Sequence, residues 1–375
     1  MKKIKTTHPN TFRVGFTKEH TNVAKGAAIL WMLFYHLFES EKLIDGLHVN
    51  TAPFSKDAFL VLSGFGNICV AVFVMLTGYG IAKGIYGKWD GSGQLDWKGT
   101  YKDATKRFGK LMVNFSILFL SVNLLWFYKF DYAKCYGEGK QGVIAFLTDG
   151  LGLNMFFDTP TMNPTWWYMK LAYVLIFLVP VLAFVARKIG KSLMLVAVML
   201  PFVFVMDADL ARYFFCAVVG VCAAEGDWFE GLEESKTRLT IGLGLIGGIL
   251  LMVICILIRQ NYQIYEHYIH LVDAPIAIVV IWFNSRVLGN IRLFKKVLAF
   301  LGKHSMNMYL VHTFFYMSLW QPYIYKAGYF LLIWLVLVLV TLLYSVVLEG
   351  IKGFVKYLYN KYLAGGIDWT KKENK

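Results

Sequence analysis

The sequence predicts an all-α fold, a polytopic transmembrane helical bundle of about ten spans with the N- and C-termini cytoplasmic. Three observations lead there. Of 375 residues 57% are hydrophobic and 17% charged, and the mean hydropathy of +0.52 lies above that of ordinary water-soluble domains. Apolar windows of about 20 residues recur along the whole chain. The net charge of +14 falls in clusters between those windows rather than on one charged domain. That is the distribution of topology determinants, and it excludes nucleic acid as the natural partner.

Residues 1–21 form a polar, basic cytoplasmic segment, and the apolar run after it has no small-residue cleavage site, so it is expected to stay as the first span. Windows follow at 22–40, 57–82, 109–128, 165–186, 192–207, 209–224, 239–258, 268–287, 296–320 and 327–350. Asp207 and Asp209 interrupt the middle pair. Residues 22–350 are thus expected to form one membrane domain, and 351–375 a basic cytoplasmic tail. With ten spans and the N-terminus inside, about 27 of the 38 Lys and Arg fall on the cytoplasmic side and about 8 outside. The 225–238 loop, with Glu225, Asp227, Glu230, Glu233 and Glu234, is the weakest support for this orientation.

The longest connections are 83–108 inside and 129–164 outside, and Arg259 to His270 is a further outer loop by this reading. The outer segments are rich in Tyr and Trp beside Asn, Gln, Glu and His, which suits the apolar faces and hydroxyls of a sugar; the bland reading is an interfacial aromatic belt. Cys69, Cys135, Cys216, Cys222 and Cys255 show no metal or redox spacing. The run Gly242 to Gly248 lies in an apolar window and reads as close helix packing, not as a phosphate loop.

Lys25 and His36 are ionisable residues inside the first window, where such groups are costly and point to function. Eleven residues are about three helical turns, so both lie on one face, about 16 Å apart. In the late window His304 and His312 differ by eight residues and some 80° around a helix, so they do not share a narrow face. Ser305 and Asn307 beside them suit interhelical hydrogen bonds.

These landmarks resemble the acyltransferase-3 family of integral membrane acyltransferases. Lys25 and His36 match its Arg/Lys-X10-His signature. Phe73-Val-Met-Leu-Thr77-Gly78-Tyr79 is similar to its second-span Phe-x-x-x-Ser-Gly-Phe/Tyr motif, and Arg107-Phe-Gly-Lys110 to its Arg-x-x-Arg element. Asn163-Pro-Thr-Trp166-Trp167-Tyr168 and the segment Leu301-Gly302 through Ser305 and Tyr309 to His312 resemble the fourth-span and late motifs. Lys25 and Lys110 stand where arginine is commoner, keeping the charge without the bidentate fork. Lys170 lies where many members carry a glutamate.

The resemblance implies a transferase of a cell (inner) membrane, without a resident cofactor or metal. It would move an acyl group, commonly acetyl, from cytoplasmic acyl-CoA to a hydroxyl, usually of an envelope or exported glycan. His36 and Lys25 are then the catalytic candidates. Arg107, Lys110, Lys25 and His304 would bind the phosphates of the donor, and Trp166, Trp167, Tyr309 and His312 the acceptor. The histidine would act as general base or carry the acyl group itself. Glu266, His267, His270 and Asp273 invite a metal reading that the family does not imply. The alternatives are a transporter of a polysaccharide or small anion, and acyl transfer onto a small molecule or lipid.

Overall fold

The computed structural model describes residues 13–89, 94–203, 207–232, 238–317 and 320–364. A helix runs through the described part of each apolar window, and the ten long helices among the described residues are α1 (Lys18–Phe38), α2 (Lys56–Tyr86), α3 (Trp97–Trp126), α4 (Tyr168–Ile189), α5 (Ser192–Val203), α6 (Ala208–Glu225), α7 (Arg238–Gln260), α8 (Tyr262–Trp282), α9 (Arg292–Tyr316) and α10 (Phe330–Tyr359). An antiparallel pairing of Arg13–Val14 with Gly231–Leu232 and an isolated parallel bridge of Asn50 with Tyr329 are the extended structure among the described residues. Among the described residues six stretches can cross a membrane by length and composition, built around α2, α3, α4, α7, α8 and α10. The other four are short or polar-studded: α5 has twelve residues, α1 carries Lys25 and His36, α6 carries Asp209, Arg212 and Glu225, and α9 carries Lys303, His304 and Asn307.

Contacts between elements sort into two ends. At one, Arg13–Val14 pairs with Gly231–Leu232, Lys83 meets Asp227 and Glu230, Arg187 meets Glu225 at 3.2 Å, and Glu19 meets Lys295 at 2.7 Å. At the other, Lys56 bridges Glu41 and Asp45, Lys170 bonds Asp207 at 2.6 Å, and Asn50 N donates to Gly328 O at 2.7 Å. Successive long helices therefore alternate in direction. The first is called the basic end below, the second the loop end. Rows of exposed leucine, isoleucine and valine on α3, α7 and α10, such as Leu124, Leu250 and Leu343, face outward. Apolar surface of that extent is suited to lipid.

One expectation about loops needs correction. Arg259 to His270 is not a loop: α7 runs to Gln260 and α8 starts at Tyr262. Arg259 is pulled inward, its Nε donating to Asp273 Oδ1 at 2.8 Å and its Nη1 to the Gly64 carbonyl at 3.2 Å, since a buried cation needs an anion and acceptors to offset its desolvation. Asp273 is thereby engaged by arginine; the side chain of Glu266 lies outside the described residues. The 129–164 connection carries short helices, Tyr132–Tyr136, Gly139–Gly150 and Asn154–Phe157. Asp149 ties them together, accepting from Tyr136 Oη at 2.7 Å and Met162 N at 3.0 Å, and burial pushes its carboxyl above the usual range.

Candidate active site

The helices that carry the two central histidines, α1 and α9, run parallel, and their seam is built from small and apolar residues. Glu19, Asn22, Gly26, Ile29, Leu33 and His36 recur at alternating intervals of three and four, and so do Lys295, Leu298, Gly302, Ser305, Tyr309 and His312. Two pairs across the seam, Glu19 with Lys295 and His36 with His312, fix its register, since their residue numbers differ by the same amount, and between them Gly26 packs on Leu298 and Gly302 on Asn22. The approach is close enough to need glycine, because a Cβ on Gly26 would lie 2.0 Å from the Leu298 carbonyl oxygen and one on Gly302 1.9 Å from that of Asn22. Backbones meet this closely in membranes where small residues allow it.

At the loop-end tip of this seam the imidazole rings of His36 and His312 stand 4.8 Å apart between centroids. His36 is partly exposed, with 19% of its side chain accessible, and its Nδ1 lies 3.5 Å from Glu39 Oε2. His312 is fully enclosed. Its Nδ1 bonds the Tyr309 carbonyl, which can only accept, so the proton sits on Nδ1 and the lone pair on Nε2. That Nε2 has no hydrogen-bond partner among the described residues. Tyr316 stacks on His312, with centroids 5.7 Å and planes 17° apart.

The histidine turns are pinned from several sides. The orphan carbonyls at the end of α1 are taken by side chains, Leu37 O by Tyr325 Oη at 2.9 Å and Phe38 O by Ser63 Oγ at 2.8 Å. Gly66, in the 3-10 turn Gly66–Ile68 of α2, fits against Trp31 and Tyr35, where a Cβ would lie 2.3 Å from the Trp31 carbonyl oxygen. The Asn163–Tyr168 segment clamps α9: Asn163 Nδ2 donates to Thr313 Oγ1 at 2.6 Å, Trp166 Nε1 to Leu310 O at 2.8 Å, and Tyr309 Oη to Thr165 O.

These placements sort the residues singled out in the sequence. His36 and His312 come together, and Tyr309 stacks on His312 at 5.8 Å. Lys25 shares the His36 face of α1 but lies about three turns toward the basic end. Trp166 is fully buried among Phe115, Phe119 and Phe314 with its indole N–H spent on α9, which makes it a packing and clamping residue. Trp167 is half-buried and stacks on Tyr213. His304 turns away, its Nδ1 2.8 Å from Ser345 Oγ of α10, where Asn307 bonds Ser345 and Glu349. Arg107 is exposed and lines a cavity between α2, α3 and α4 to which Lys25, Lys110 and His304 do not contribute. Sequence reasoning passed over Glu39 and Tyr316, although each stands one helical turn beyond a histidine.

The family model described as an acyltransferase domain, of the acyltransferase-3 group, matches residues 21–350. The chain belongs to the acyltransferase-3 family. It is therefore a multi-pass membrane acyltransferase. No curated protein and no solved structure matches this acyltransferase. The matched region contains α9, α1 from Thr21 onward, the Asn163–Tyr168 clamp and the histidine pair.

Proposed function

We propose that the protein transfers an acyl group, acetyl in the simplest case, from cytoplasmic acyl-CoA to a hydroxyl of an envelope or exported glycan. One observation carries the reading: two imidazoles 4.8 Å apart at the loop end, backed by a carboxylate, with a lysine on the same face of α1 toward the basic end. In this reading the basic end faces the cytoplasm of an inner membrane. Lys25, for whose ammonium no ion pair or hydrogen bond is seen among the described residues, attracts the anionic part of the donor. About 16 Å separate it from His36, so it binds and does not touch the reacting carbonyl. The extended arm of the donor covers that distance along α1.

The acceptor arrives from the loop end, where the half-buried Trp167, backed by the buried Tyr213, offers an aromatic surface for a sugar face. Its hydroxyl oxygen attacks the thioester carbonyl carbon while His36 takes the proton. The C–S bond then breaks, the proton passes from the imidazolium to the departing sulfur, and an ester and free CoA remain. Glu39 faces Nδ1 and stabilises the imidazolium that forms as His36 takes the proton. A positioned base of this kind is worth roughly 10²–10⁴ in rate.

The test is acceptor-dependent release of free thiol in membranes containing the protein, with mass analysis of surface glycans for an increment of one acyl group. His36→Ala is expected to cut release about 1000-fold while the protein still inserts and folds. Ordinary turnover in that variant would remove His36 from the mechanism. Lys25→Leu is expected to raise KM for acyl-CoA more than for the acceptor, with Lys25→Arg close to wild type; an unchanged donor KM would remove Lys25 from donor binding.

A further inference from the structure

Away from the histidine pair, α3 and α4 border two neighbouring hollows that differ in chemistry, called the two halves of the α3–α4 cleft below. Its first half is a cavity of about 310 Å³ between the end of α2, the start of α3 and Pro180 of α4. Four basic side chains line it, Lys88, Lys102, Lys106 and Arg107, against two acidic ones, Asp96 and Asp103. Both carboxylates are engaged: Lys88 pairs with Asp103, and Asp96 caps α3 by accepting from Gly99 N at 2.9 Å. Lys102, Lys106 and Arg107 have no carboxylate partner among the described residues. The second half starts one residue further along each helix, at Phe108 and Val181, as a groove of about 630 Å³ with an apolar lining. Its floor is Phe108 packed on Tyr173 and Phe177, with ring centroids 4.7 and 5.6 Å away. From Val181 to Tyr173 it follows α4 for about 12 Å.

A cationic cavity next along the same two helices to an exposed apolar groove has the polarity of a lipid with an anionic head. We infer that the α3–α4 cleft binds an anionic phospholipid of the leaflet at the basic end, its phosphate on Lys102, Lys106 and Arg107 and one alkyl chain against Phe108, Phe177 and Val181. Basic pockets between transmembrane helices attract acidic head groups, and the buried chain adds apolar area that a soluble phosphate does not supply. The site is separate from the histidine pair, since none of its residues lies on α1 or α9. Its occupancy is accordingly read without measuring acyl transfer.

The experiment uses the full chain purified in detergent, exposed to mixed micelles of phosphatidylglycerol or phosphatidylcholine, with retained lipid counted by native mass spectrometry. Phosphatidylglycerol is expected to be retained in preference to phosphatidylcholine. Each basic group beside an anionic surface is worth about fivefold, so Lys102→Gln with Lys106→Gln predicts roughly a 30-fold loss of that lipid. Val181→Trp, which fills the groove from an exposed position, is expected to lower retention with the lysines intact. Equal retention of the two lipids, or retention unchanged in both variants, would overturn the assignment. Displacement of phosphatidylglycerol by acyl-CoA at equimolar concentration would overturn it too, giving the cavity to the donor.

Discussion

His36 lies where the chain brings together three groups of different character: a carboxylate one turn along the same helix, a second imidazole from α9, and the tyrosine stacked on that imidazole. Glu39 acts through His36, so Glu39→Gln is expected to lower kcat about 100-fold with little change in either KM, and Glu39→Asp to restore part of the loss. Equal activity in Glu39→Gln and wild type would show that the 3.5 Å contact has no part in the reaction. Lys25 and His36 were legible because ionisable residues in an apolar window are conspicuous. Glu39 and Tyr316 were not, since they fall at the window edges, where polar and aromatic residues are ordinary. Trp166 shows the opposite problem: its type suits a sugar, and only packing against Phe115, Phe119 and Phe314 shows that no edge of it is free.

The parallel seam between α1 and α9 converts helix positions into a reaction geometry. Gly302→Ala tests this, because alanine is the better helix former yet would force the backbones apart. Overpacking of this kind costs about 1–3 kcal/mol, and activity is expected to fall with thermal stability as His36 and His312 separate. Gly350→Ala is the control: it lies in α10 with open space around it, and the same exchange is expected to raise stability by about 0.5–1 kcal/mol. If both variants behave alike, helix propensity decides and the close approach does not. All ten helices were readable from apolar windows, since length and hydropathy are local properties. The partners of each helix were not, and the misread stretch from Arg259 to His270 shows why: a polar run looks like a loop until its arginine is found bonded to Asp273.

Across the whole molecule the helices alternate between a basic end and a loop end, and charge bias predicts that the basic end faces the cytoplasm. The protein carries its own probe of that orientation. Of its five free cysteines Cys135 alone escapes full burial, and it lies in the connection between α3 and α4 at the loop end. A membrane-impermeant maleimide is expected to label wild-type protein in intact cells and to lose that labelling in Cys135→Ser. Labelling only after permeabilisation would invert the topology and with it the side that receives the acceptor.

The α1–α9 pair has a bearing on biogenesis. His36 leaves the ribosome long before His312 and the Tyr325 that caps the turn after His36, which lie in and after α9. A chain made only as far as α8 thus holds the first imidazole without its partner, and the pair assembles only once α9 has been inserted.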